Sequence, residues 1–162
     1  MNTATIYLYR TTRRSNDNKL FTFVTIIFLL LNYSKILCDE NNLNLSYEIG
    51  LDAYNEKQFE VAKQIFDNLL KADPRCAKCY HMKGKSYGRI AEQASWLKAI
   101  KYVRETLKAL KAAHRLAPEN TVIIEDLIEF YTRAPHFLGG NDKKAKQLKR
   151  KLIALQSVEK LQ

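Results

Sequence analysis

The 162-residue chain repeats itself at a spacing that leaves few folds open to it. Gly50 and Gly84 stand 34 residues apart, each inside a helical pattern of apolar residues, while Pro74 and Pro118 stand 44 apart, as do Tyr87 and Tyr131. A constant period of 34 with one ten-residue insertion between Tyr87 and Pro118 accounts for all three spacings. Periods of this size belong to supersecondary units that cannot bury their apolar face alone and do so against the next copy.

Composition decides what each unit is made of. Only 5 Gly and 3 Pro punctuate the chain, too few turn residues for a β-sandwich, and the abundance of Ala, Leu, Lys and Glu favours helices. At 46% hydrophobic the chain is too apolar for disorder, and 3 Cys do not make a disulfide-dense scaffold. No segment reads as the alternating strands and helices of a large enzyme core. Helices are expected near 43–55, 59–72, 77–92, 96–116, 121–133 and 143–158. Asp73-Pro74, Ala117-Pro118 and Ala134-Pro135 mark breaks, and Gly139-Gly140-Asn141-Asp142 supplies a turn and an N-cap for the last helix.

Inside the first copy, Gly50 is followed after 12 residues by Ala62, after 4 more by Phe66 and after 8 more by Pro74. Gly and Ala suit the place where two antiparallel helices touch, the aromatic fills the gap between copies, and proline ends the second helix. The second copy has Gly84-Lys85-Ser86-Tyr87, then Leu110, Ala113 and Pro118. The third is degenerate, with Ile128 for the glycine, then Tyr131, Ala145 after an enlarged loop, and Lys149 in the aromatic's place. It suits the polar cap that a stack of repeats needs at its end.

These spacings resemble the tetratricopeptide repeat (TPR), which implies an all-α solenoid of about three helical hairpins, near 43–76, 77–120 and 121–158. More narrowly, GKSYGRIAEQASWLKAIKYVRETLKALKAAHRLAPEN and DLIEFYTRAPHFLGGNDKKAKQL look like segments of small exported bacterial TPR proteins, with their SWLKAI insertion and AP-x-x-x-GG-x-x-K-A loop. That resemblance covers about residues 46–155 and rests on Gly84, Tyr87, Ser95-Trp96-Leu97, Pro118, Phe130-Tyr131, Pro135, Gly139-Gly140 and Ala145. It implies a periplasmic or membrane-associated interaction domain with no catalytic residue. Animal regulators of microtubule dynamics, which also have an N-terminal hydrophobic segment, are more distantly similar.

Residues 1–38 read as a separate segment ahead of a domain at 39–162. Arg10, Arg13, Arg14 and Lys19 precede the apolar run Leu20 to Leu31, and Asp39-Glu40 follow soon after. This is the pattern of a secretory signal, expected to be cleaved after Cys38, or of an anchor retained with its basic end in the cytoplasm. The run alone is shorter than the ~20 residues that cross a bilayer. Lys35-Ile36-Leu37 lacks the small residue of a lipidation site before Cys38, and Ser15-Asn16-Asp17 after the twin arginines excludes a Tat signal. Five of the 27 basic residues and one of the 17 acids lie in this segment, which leaves 22 against 16 on the domain. An exported domain of that modest charge is not expected to bind nucleic acid. Its charge serves solubility or weak attraction to anionic surfaces. Six of the nine residues from Lys143 to Lys151 are basic, while Ala145, Leu148, Leu152 and Leu155 form an apolar stripe, so this helix is expected to solvate the end of the stack.

Signals of chemistry are weak. Cys76 and Cys79 have the C-x-x-C spacing without the βαβ frame of thioredoxin-like redox proteins. They read as a local disulfide or two structural thiols, and a thiol or redox accessory role using this pair is the alternative function. Tyr80 stands where haem attachment needs His, and His114 and His136 are too distant to complete a zinc site, so no cofactor and no metal is expected. Gly139-Gly140 is followed by Asn141-Asp142-Lys143-Lys144 rather than the Lys and hydroxyl of a P-loop. No Ser, His and acid arrangement stands out, and Glu125 and Glu129 read as solvated neighbours on one helix turn, so the chain is not expected to be an enzyme. Trp96, a lone Trp among apolar neighbours, reads first as core and second as an exposed anchor.

Function in such a stack lies on the concave face lined by the first helix of each repeat. The register of Gly50, Gly84 and Ile128 places Tyr47, Leu51, Tyr54 and Asn55 there, then Lys78, His81, Lys85 and Arg89, then Glu125, Glu129 and Arg133. Tyrosines beside Lys and Arg suit a peptide bearing carboxylates. The expected function is therefore a scaffold in an exported or membrane-associated compartment that holds a segment of another protein in this groove, with any membrane association through the N-terminal segment. The competing reading of these residues is a solvated face.

Overall fold

Helix ends fall where local chemistry puts them. The computed structural model describes residues 42–159, and the expected signal or anchor segment at 1–38 lies outside the described residues. Helix α1 covers 42–55, followed by α2 (Phe59–Ala72), α3 (Ala77–Gln93), α4 (Trp96–Leu116), α5 (Thr121–Arg133) and α6 (Asp142–Glu159). Every expected helix boundary lies within one residue of these. A single 3-10 turn, His136–Leu138, is the one further element among the described residues. There is no strand among them, so the fold is all-α. By its internal contacts the chain divides between Asn44 and Leu45, and the helices pack within the unit from Leu45 onward.

The Asn120 side chain accepts a hydrogen bond from the Ile123 N–H at 3.1 Å and the Asn141 side chain accepts one from Lys144 N–H at 2.9 Å, which satisfies orphan donors at the starts of α5 and α6. At the end of α1 Lys57 adopts φ 62°, and the Gln58 N–H turns back to the Ala53 carbonyl at 2.9 Å. In the α5–α6 loop Gly139 has φ 105°. A Cβ on the next residue, Gly140, would run into the Ala134 carbonyl.

The helices pack as antiparallel pairs in chain order. Gly50 and Tyr47 meet Phe66 while Tyr54 meets Phe59, so α2 runs against α1. Gly84 faces Leu110 while Gly88 faces Thr106, so α4 runs against α3. The Asp67–Lys83 ion pair at 2.5 Å joins α2 to α3. Leu110, Leu127, Tyr131 and Ala145 form one buried cluster, with Leu107, Phe130 and Leu148 packed around it, that ties α4, α5 and α6 together. Three hairpins therefore stack with α1, α3 and α5 parallel on one side. Phe66, Ala62, Ala113 and Ile124 are wholly buried between them.

Trp96 corrects an expectation: it is 72% exposed rather than core. The register that puts Gly88 opposite Thr106 leaves the first turn of α4 beyond the end of α3, so Trp96 and its neighbour Leu97 have no helix to bury them.

The glycines of α3 are not equivalent. A Cβ at Gly84 would lie 3.2 Å from the Leu110 side chain and 3.4 Å from Ala109, whereas at Gly88 the nearest atoms are 3.8 Å away. Gly84→Leu should thus cost ~1–3 kcal/mol through overpacking. Because the hairpins share one core, thermal denaturation should show the whole domain melting earlier rather than one end loosening. Gly88→Ala should raise stability by about 0.5 kcal/mol, since the methyl fits and removes helix-interior glycine entropy.

Candidate functional site

A cleft of about 540 Å³ opens between α3 and α5 with α4 as its floor. Gly84, Gly88 and Ala91 present no bulk from α3, so Val103, Thr106 and Leu110 of α4 show through beneath them. Phe130 flanks this floor, and Pro135 and Leu138 close one end, where the Ala134-Pro135 break carries the chain away from α5. The rim is charged on both walls. Tyr54 comes from α1, Lys85, Arg89 and Glu92 from α3, and Asp126, Glu129 and Arg133 from α5.

One polar strut crosses from α3 to α5. His81, only 9% exposed, lies with Nε2 2.6 Å from an Asp126 carboxylate oxygen, and Lys85 Nζ lies 3.7 Å from the same oxygen. Burial by itself raises the Asp126 pKa. The His81 hydrogen bond and the positive charges of Lys85 and His81 outweigh it, and the carboxyl ends below its ordinary range. On the rim Arg89 pairs with Glu92 at 2.6 Å and Arg133 with Glu129 at 2.5 Å, each within its own helix. Such exposed pairs contribute little to stability and can trade partners for a ligand's charges. Arg89 also lies 5.5 Å from the Phe59 ring centroid. Burial raises the Tyr54 hydroxyl, which stays a protonated donor at neutral pH.

The structure brings together Tyr54, Lys85, Arg89, Glu129 and Arg133 of the expected groove residues around this cleft. Lys78 and Tyr47 meet elsewhere, with the ammonium 4.2 Å above the ring. Leu51 is half-buried and Asn55 exposed, both on α1 and outside the cleft lining. His81 is spent on the strut rather than presented to a ligand. Glu125 turns to a smaller hollow of about 370 Å³ between α5 and α6 that Glu129 and Arg133 also border. Asp126 and Glu92 escaped the sequence reading. A signal for Asp126 existed: 44 residues earlier stands Met82, a buried position, so an acid there had to face inward and find a partner.

Cys76 and Cys79 are joined as a disulfide at the N-terminus of α3, with Cys79 2% exposed. No group of three or more His, Cys, Asp or Glu among the described residues is placed to hold a metal ion. No helix among the described residues is long and apolar enough to cross a membrane. No family model matches the chain, and no curated protein matches it.

Asp126→Asn tests the strut. With the folded pKa of Asp126 below its ordinary 3.8, the carboxylate's contribution is present above that value and lost as pH falls through the folded pKa. Removing the charge should cost ~1–3 kcal/mol in urea denaturation at neutral pH, and the difference from wild type should shrink as the buffer is taken below pH ~4.

Proposed function

We propose that the chain is a TPR-type scaffold of about three helical hairpins, exported or membrane-associated, that binds a segment of a partner protein between α3 and α5 and performs no catalysis. The observation that carries this reading is the cleft itself. Three parallel helices set aromatic and charged side chains around a floor of small and apolar residues, which suits a peptide offering both an apolar side chain and charges to the rim. The resemblance of the 34-residue spacing and of the SWLKAI and GG loop segments to small exported TPR proteins supports the same reading. The redox alternative has less support, because the Cys76–Cys79 disulfide stands in an all-α setting without the βαβ frame that thioredoxin-like chemistry uses.

The test uses a displayed peptide library selected on the wild-type protein and rescreened on Gly88→Leu. That side chain grows into the cleft from a position with room around it. Peptides that occupy the cleft should lose at least about tenfold in affinity, equivalent to ~1.4 kcal/mol, while the variant melts no lower than wild type. Peptides that bind the plugged variant as well as wild type would contradict the assignment.

A further inference from the structure

The side of α4 turned away from the cleft carries a feature of its own. Lys101, Arg104, Lys108, Lys111 and Arg115 recur at steps of three and four, so they fall on one face of the helix. All five are exposed. The opposite face holds the buried Thr106, Ala109, Leu110 and Ala113. At ~1.5 Å per residue the row is ~21 Å long. Among the described residues, none of the five has a carboxylate within 4.0 Å.

This is not an ordinary solvated face. The rims of α3 and α5 mix Arg with Glu at neighbouring turns, whereas α4 has Glu105 as its sole acid against six Lys and Arg. Like charges one turn apart repel, which an apposed anionic surface would relieve. The row also continues one turn further, to Leu97, which is 66% exposed, beside the equally open Trp96. An aromatic and an aliphatic side chain leading a line of cations match the bilayer interface. There the indole sits at headgroup level and the ammonium and guanidinium groups meet phosphates. A nucleic acid backbone would use the cations and leave the two apolar side chains in water.

We propose that the outer face of α4 docks the protein on an anionic bilayer surface, with lipid phosphates along Lys101 to Arg115 and with Trp96 and Leu97 seated in the interface. Because Val103, Thr106 and Leu110 face the cleft from the other side of the same helix, a partner and a membrane can be held at once. The proposal does not depend on what the cleft binds.

Trp96 is the chain's only tryptophan, so its emission reports on this surface directly. The full chain is mixed with phosphatidylcholine vesicles with and without phosphatidylserine. Emission should shift to the blue, and be quenched by brominated acyl chains, only when phosphatidylserine is present, and the shift should fade as salt is raised. Insertion of the N-terminal apolar segment alone would leave Trp96 emission the same on both vesicles. Replacing Arg104, Lys108 and Lys111 together by Gln should lower partitioning onto the charged vesicles about a hundredfold. The equal charge loss Lys143→Gln, Lys146→Gln, Arg150→Gln on α6 should leave it nearly unchanged. Unshifted emission on charged vesicles, equal losses for the two triple variants, or tighter binding of the row to a nucleic acid duplex than to the vesicles would each overturn the proposal.

Discussion

The contact of Gly84 with Leu110 is the point on which the rest of this architecture turns. With no side chain at Gly84, α4 comes close enough that a methyl there would stand 3.2 Å from Leu110. The same Leu110 belongs to the buried cluster with Leu127, Tyr131 and Ala145. One side chain therefore seats the second hairpin and holds the third against it. The approach also decides what lies under the cleft, since Leu110, Thr106 and Val103 become its floor only because α3 is bare at Gly84 and Gly88.

Above that floor the walls are held unevenly. At one end His81, Lys85 and Asp126 bridge α3 and α5. Toward the other, the Arg89–Glu92 and Arg133–Glu129 ion pairs each stay within one helix. A half-buried bridge of this kind adds little net stability over an apolar contact, yet losing one partner leaves the other charge stranded, so it works chiefly to fix spacing. Braced across its walls by His81 and Asp126, the cleft keeps the rim charges of Arg89 and Arg133 available to a ligand. The back of α4 is free to act separately.

The helices were legible because their ends are punctuated by strong local chemistry. Pro74, Pro118 and Pro135 stop or redirect the chain, and Asn120 and Asn141 cap α5 and α6. The 3-10 turn at His136–Leu138 was not legible, since three residues carry no periodicity. Trp96 shows what a pattern omits: periodicity says which face of a helix is apolar, not whether a neighbour extends far enough to cover it. Of the residues that the repeat register names for a groove, Tyr54, Lys85, Arg89, Glu129 and Arg133 line one cleft. That register could not say that Lys78 would lie over the Tyr47 ring, or that His81 would be consumed by Asp126, because pairings across helices depend on distances that no spacing along the chain records.

A double-mutant cycle between Gly84→Ala and Leu110→Ala, monitored by urea denaturation, measures whether close helix approach at Gly84 organises the packing. Leu110→Ala alone should cost about 2–5 kcal/mol, and Gly84→Ala alone should also destabilise, because its methyl meets Leu110. Combined, the two should be strongly non-additive. With Leu110 truncated, the new methyl enters vacated space and Gly84→Ala becomes neutral or stabilising, a coupling of about 1 kcal/mol or more. Costs that add to within about 0.5 kcal/mol would show that the two residues do not bear on one another and that close approach at Gly84 does not organise the packing.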